Sequence, residues 1–258
     1  MLALLLSACK PSAAPQAPPP LTVAAAADLA LAFEELGKLY TAETHTPVRF
    51  SFGSTGLLAK QIAEGGPFDV FAAANVSFVD QVVASGRCDG ASKTPYAFGR
   101  IVLWSKDPSM IPARIEDLAD EKYRRVALAN PEHAPYGLAA KQALEKAGVW
   151  EAVKPRLVYG ENVRQALQFA ETGNAEVALV ALSLTASSSV AKGGSLVDAA
   201  LHAPIEQAMA ICGTDATRQL QARRFLEMVR SEPGRAIMRR YGFFLPGERP
   251  ATELGAAR

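Results

Sequence analysis

The sequence predicts an α/β protein of two lobes, with mixed, mostly parallel sheets flanked by helices. Three observations predict it. Short β-like runs alternate with helical ones from Leu21 onward, the order that builds parallel sheet covered on both faces. Several of these runs, "PFDVFAAA" and "EVALVALS" among them, are apolar almost throughout, as doubly buried strands are. About 240 residues of this alternation exceed one comfortable five-stranded sheet, so two lobes are expected.

The elements follow in order. "LTVAAAA" reads as a strand, and the next segment places Leu29, Ala32, Phe33 and Leu36 on one helical face. "VRFSF" precedes a helix carrying Leu57, Leu58 and Ile62, which stops at Gly65-Gly66. The buried strand "PFDVFAAA" leads into a short helix, "SFVDQVVASG". Strands "GRIVLWS" and "RRVALAN" come next, then a helix over 137–147, strand "RLVYG", a helix over 162–172 and strand "EVALVALS". Two helices near 215–230 and 232–240 close the chain.

Composition narrows the function. The 258 residues are 49% hydrophobic and 21% charged with a formal net charge of +1, so ordinary globular cores are expected. No basic block and no aromatic-basic interleaving marks a nucleic-acid interface. After residue 20 no apolar stretch approaches the roughly 20 residues that cross a bilayer. His45, His133 and His202 lie far apart and show no metal-ligand spacing.

Residues 1–20 read as separate from the fold. "MLALLLSAC" is an apolar run ending in small residues, like the back half of a secretory signal, although no basic stretch opens it and a start further upstream stays open. Leu6-Ser7-Ala8-Cys9 resembles the lipobox of bacterial lipoproteins, in which the Cys carries the lipid, and "KPSAAPQAPPP" reads as an extended Pro-rich tether. The other reading is a cleaved signal with an incidental Cys. The chain is thus expected in the periplasm or cell envelope, touching the membrane only through its anchor. Cys88 and Cys212 remain, either as a bridge in an oxidising compartment or as two separate thiols.

The strand-to-helix junctions carry the chemistry. Ala27-Asp28 opens the first helix and Ser54-Thr55 the second; "NPEHAPYG", residues 130–137, opens a third, and Asn162-Val163 a fourth. In open α/β sheets ligands bind beyond the carboxyl ends of the strands. Helix N-termini present unpaired N–H groups and a positive dipole end there. Four such starts brought together would hold an anion without Lys or Arg; taken singly, each is ordinary capping.

Over nearly its whole length beyond the tether, the sequence resembles the periplasmic molybdate-binding components of ABC importers, which are type II periplasmic binding proteins. The resemblance rests on "TVAAAADL", "GSTGLLAKQIAEGGPFDVFAAAN", "NPEHAPYGLAAKQALEKAGVWE", "ENVRQAL" and "GRAIMRRYGFF". It implies two lobes joined by two crossovers, residues 21–98 with 208–258 and residues 99–207, which puts Cys88 and Cys212 in one lobe. It further implies a monomer that holds a tetrahedral oxyanion, molybdate or tungstate, between the lobes and delivers it to a membrane permease, with no cofactor. The family's first ligand-binding Ser falls on Asp28. Its second hydroxyl falls on Thr55, with Ser54 beside it, and its backbone donors fall on Tyr136 and Val163. Its late Tyr falls on Ala181, so two of the five positions, Asp28 and Ala181, depart from the pattern. Tyr136 is a candidate to supply a hydroxyl from another direction.

Asp28 needs its own reading, because an ionised carboxylate repels a dianion, most of all in a dry cleft. The reading taken forward has it turn back to cap its own helix and leave only its amide to the ligand. Two others have it accept a proton from a protonated, phosphate-like oxyanion, or approach the metal of the oxyanion itself, as carboxylates do in the related archaeal tungstate binders. An alignment shift of one residue would put Ala27 at the site instead.

Two other functions are weighed against this one. The first is a binding module for another small anion: sulfate, a phosphate-like ion or an organic acid. The second is a hydrolase using Ser54 with His133 as base, although no G-x-S-x-G, Walker, G-x-G-x-x-G or H-E-x-x-H motif is present. The lipobox yields a direct prediction. Cys9→Ser releases the protein from membranes in a fractionation experiment and leaves anion binding unchanged; unaltered membrane retention would contradict the anchor.

Overall fold

The computed structural model describes residues 19–186 and 193–248; Cys9 and the tether up to residue 18 lie outside the described residues. The chain begins with β1 (Leu21–Ala26), passes through a 3-10 turn (Ala27–Leu29) into α1 (Ala30–Thr44), and continues with β2 (Val48–Gly53), α2 (Thr55–Ala63), β3 (Val70–Ala73), α3 (Val76–Ala84) and β4 (Thr94–Gly99). One residue later β5 (Ile101–Trp104) starts, followed by β6 (Val126–Ala129), α4 (Pro135–Lys146), α5 (Trp150–Val153), β7 (Leu157–Gly160), α6 (Val163–Glu171), β8 (Val177–Ala181), α7 (Leu182–Thr185) and β9 (Ser195–Leu196). The chain then returns through β10 (Ile205–Ile211) to α8 (Ala216–Arg230) and α9 (Glu232–Arg240).

These strands form two five-stranded sheets, in the orders β2-β1-β3-β10-β4 and β7-β6-β8-β5-β9. Each has a parallel trio, β2-β1-β3 in one and β7-β6-β8 in the other, extended by antiparallel pairing. The chain passes between the sheets at Arg100, between β4 and β5, and again between β9 and β10. Because β4 runs to Gly99 and β10 starts at Ile205, residues 99 and 205–207 pair within the first sheet rather than with the second.

Three strands, β4, the two-residue β9 and β10, escape the sequence reading, and for β10 and β4 the physical reason is plain. β10 reads "IEQAMAI", a run of good helix formers, yet it lies between β3 and β4 and pairs with both; pairing and burial override propensity there. β4 carries Pro95, which an edge strand tolerates, opposite a register shift at Gln207/Ala208.

The helices bury the expected faces. Leu29, Ala32, Phe33 and Leu36 are buried, and so are Leu58 and Ile62, whereas Leu57 is only half-buried. Around α1, Phe33 and Tyr40 meet Phe225 of α8 edge-on, with ring centroids 5.7 and 5.5 Å apart. Asp69, just before β3, accepts from the Thr22 amide at 2.7 Å and from Arg218 Nε at 2.6 Å, tying β1 and α8 to one carboxylate. Cys88 and Cys212 are disulfide-bonded across a sequence separation of 124. The bond joins the chain before it leaves the first sheet to the chain after it returns.

Candidate functional site

The carboxyl ends of the parallel strands β1, β2, β3, β6 and β7 lead into one small cavity. Asp28, Ser54, Thr55, Tyr136 and Val163 all line it, together with neutral small residues such as Ala27, Ala74 and Ala134. The four junctions singled out in the sequence therefore meet, two from each sheet. Asp28 is the one lining residue with a formal charge, and no Lys or Arg is among them.

Each junction leaves backbone N–H groups uncapped toward this space. Thr55 and Val163 are the first residues of α2 and α6, and Tyr136 the second of α4, positions whose N–H finds no partner inside the helix. At α6 the Asn162 side chain accepts from the Arg164 and Gln165 amides, both at 3.1 Å, and so passes over Val163. At α4 the N-cap is Ala134, which has no side-chain acceptor, and Pro135 has no N–H.

Ser54 is an N-cap by position but not by bonding. Its Oγ lies 2.6 Å from the carbonyl oxygen of His133 and 2.8 Å from His133 Nδ1. The neighbouring Gly56 amide donates to the same carbonyl at 2.9 Å. A Cβ at Gly56 would stand 2.8 Å from that oxygen, so only glycine lets α2 approach this closely. The result is a direct contact between the β2–α2 and β6–α4 turns. Thr55 Oγ1 accepts the Ala74 amide at 3.2 Å, which leaves its own proton for another acceptor.

Asp28 behaves differently from the capping expectation, which the structure overturns. The turn it occupies is 3-10 and makes no side-chain cap bond. Its Oδ2 instead accepts from Gln207 Nε2 at 2.6 Å and from Tyr136 Oη at 3.0 Å. Gln207 comes from β10 and is itself held by Tyr96 Oη, which donates to Gln207 Oε1 at 2.8 Å. Ser183 Oγ donates to the Asp28 carbonyl at 2.8 Å. The carboxyl is 1% exposed, and Oδ1 is buried with no hydrogen-bond partner among the described residues. Burial pushes its pKa up to about 6, although the bonds from Gln207 and Tyr136 pull the other way. Burial and the charge of Asp28 together push the Tyr136 and Tyr96 phenols well above their ordinary value, so both act as neutral donors.

All five candidate positions line the cavity, but what supports them was not read from the sequence. Gln207 and Tyr96 lie on two of the strands that were not recognised, β10 and β4. Ala181 ends β8 with no hydroxyl, and the hydroxyl that reaches this region from that segment is Ser183, two residues on. The signal for Gln207 was an amide beside Glu206 in a stretch otherwise apolar, legible only once "IEQAMAI" is taken as a strand.

Comparison with known proteins places this geometry. Residues 21–244 match the family model of bacterial extracellular solute-binding proteins. The chain is 36% identical over 247 residues to a molybdate-binding protein of Rhodobacter capsulatus, covering 94% of this chain and 93% of that one. It is 34% identical to a molybdate-binding protein of Azotobacter vinelandii, over 86% of this chain and 89% of the relative. The solved structure of the periplasmic molybdate-binding protein of Azotobacter vinelandii superposes with a TM-score of 0.82 at 30% identity, covering 88% of this chain and 99% of that one.

The buried carboxyl has a stability signature. A pKa raised in the fold means the native state holds its proton more tightly than the unfolded chain. This contribution is present below about pH 4 and is lost as pH rises toward 6. Asp28→Asn cannot ionise and still offers an acceptor to Gln207 and Tyr136. Chemical denaturation of the ligand-free proteins should show the Asp28→Asn variant and wild type alike near pH 4, and the variant more stable by roughly 2–3 kcal/mol at pH 7–8. Equal stability at both pH values would contradict the burial of an ionised Asp28.

Proposed function

The chain belongs to the bacterial extracellular solute-binding protein family, and from that membership we propose that it captures molybdate or tungstate between two lobes and hands it to the membrane permease of an ABC importer. The lobes are built on the two sheets, and the protein works as a monomer, in the periplasm or held at the cell envelope through lipid on Cys9. The ligand-binding groups are the backbone N–H groups of Ser54, Thr55, Tyr136 and Val163 and the Thr55 hydroxyl, with Asp28 beside them. The observation that carries the reading is the cavity itself, bounded by helix starts from both sheets and lined by no cationic side chain.

Such a site works by sharing donors between the lobes. With the lobes apart, each presents half of them; the anion is most stable with both halves, so it favours the closed state by its difference in affinity. Fixed neutral donors in a dry cleft hold a dianion strongly because water no longer competes. Molybdate, tungstate and sulfate are all tetrahedral dianions, so selection among them rests on cavity size.

A micromolar to nanomolar affinity corresponds to about −8 to −12 kcal/mol. At a thousandfold excess over Kd the folded protein gains about 4 kcal/mol, which for a chain of this size is a rise in Tm of roughly 8–16 °C. Thermal unfolding and calorimetry with molybdate, tungstate, sulfate and phosphate measure this. A large shift with the first two and a small one with the others is expected. No shift at millimolar molybdate overturns the reading, and a larger one with sulfate, phosphate or an organic acid reassigns the ligand.

The Ser54–His133 contact favours one competing reading, a hydrolase. Against it, a Ser54 hydroxyl at 2.6 Å from a carbonyl oxygen directs its proton there, and Ser54 is 2% exposed. An activated ester should give no burst of product; a burst lost in Ser54→Ala would establish the enzyme instead.

A further inference from the structure

We propose that this protein takes up its oxyanion together with one proton, and that the proton resides on Asp28 Oδ1, from which it is donated to the bound anion. The inference rests on the oxyanion reading of the cavity and specifies how Asp28 takes part.

Three observations carry it. Asp28 lines the cavity, and its two carboxyl oxygens differ: Oδ2 is supplied by Gln207 and Tyr136, whereas Oδ1 is buried without a partner among the described residues. A carboxylate left that way beside a dianion is an acceptor facing an acceptor, and no cationic side chain in the lining offsets the charge. Protonation of that one atom turns the repelling group into a donor without moving it, and the bonds to Oδ2 are kept.

Among the described residues, the groups facing Asp28 from each neighbouring element are as follows. α4 presents Tyr136 and β4 presents Tyr96, whose phenols stay protonated. β10 presents the neutral Gln207, and α7 presents Ser183. The β2–α2 turn brings Ser54 and Thr55, and α6 brings Val163, none of which titrates in the physiological range. His133, bonded to Ser54, is the remaining titratable group beside the cavity. The raised pKa of Asp28 makes the proton accessible near neutrality.

Calorimetry of sulfate and molybdate binding, in buffers of different ionisation enthalpy between about pH 6 and 8.5, counts the protons. Sulfate is included because it holds no proton of its own in this range, so any proton taken up must sit on the protein. For the wild-type protein the expected result is close to one proton per anion at pH 7.5 and above, with Kd rising about tenfold per pH unit above about pH 6.5. Asp28→Asn should take up no proton and bind with a pH-independent Kd. Its amide N–H stands in for the acid, so at pH 8.5 it should bind more tightly than wild type. His133→Gln should keep the proton uptake.

Binding without proton uptake overturns the inference and leaves the oxyanion site standing, and the wild-type count decides this whether or not a variant folds. Proton uptake that persists in Asp28→Asn, or disappears in His133→Gln, also overturns it. If no oxyanion binds at any pH, the site reading falls and this inference with it.

Discussion

Two donors, Gln207 Nε2 and Tyr136 Oη, meet on one oxygen of the Asp28 carboxyl, and the cleft is arranged around that meeting. The three residues come from β10, from the start of α4 and from the turn after β1, so the contact spans both sheets. It forms only after the chain has crossed to the second sheet and returned. Gly99 makes room for it: a Cβ there would stand 2.1 Å from Tyr136 Oη. Because the group is buried, an unmet bond in it is costly, and the three side chains therefore fix one another's positions.

The backbone supplies the donors, so the cavity has no cationic side chain. Both sheets use a parallel trio whose carboxyl ends face the cleft, and each strand end hands over to a helix or 3-10 turn with N–H groups to spare. Side-chain caps are absent at α2 and α4, and the cap at α6 serves the amides beyond Val163. Donors fixed in the backbone need no counter-charge to be aimed, and they do not titrate. One acid among them is then the element on which charge and pH can act.

Much of this was legible in the sequence because apolar strands and capped helix starts leave local marks. "VALVA" and the apolar face of α1 fall where periodicity put them, and Asp28, Ser54, Thr55, Tyr136 and Val163 converge on one cavity. What was not legible depends on distant partners. Asp28 reads locally as a cap, and Tyr136 and Gln207, 108 and 179 residues away, draw its carboxyl elsewhere. Gln207 was hidden in turn because β10 has the composition of a helix and becomes a strand by lying between β3 and β4. The pairing of Cys88 with Cys212 and the contact of Ser54 with His133 were open alternatives in the sequence, and it is the fold that makes both.

The central claim is that a tetrahedral oxyanion is held where the helix starts of the two sheets meet. The most direct measurement is a crystal structure of the molybdate-soaked or co-crystallised protein, with the metal located by its anomalous scattering. The account predicts one dominant peak inside the cavity between Asp28, Thr55, Tyr136 and Val163, with an anion oxygen within hydrogen-bond distance of Asp28 Oδ1. A peak elsewhere, or a cavity that stays free of molybdenum at saturating concentration, would contradict it.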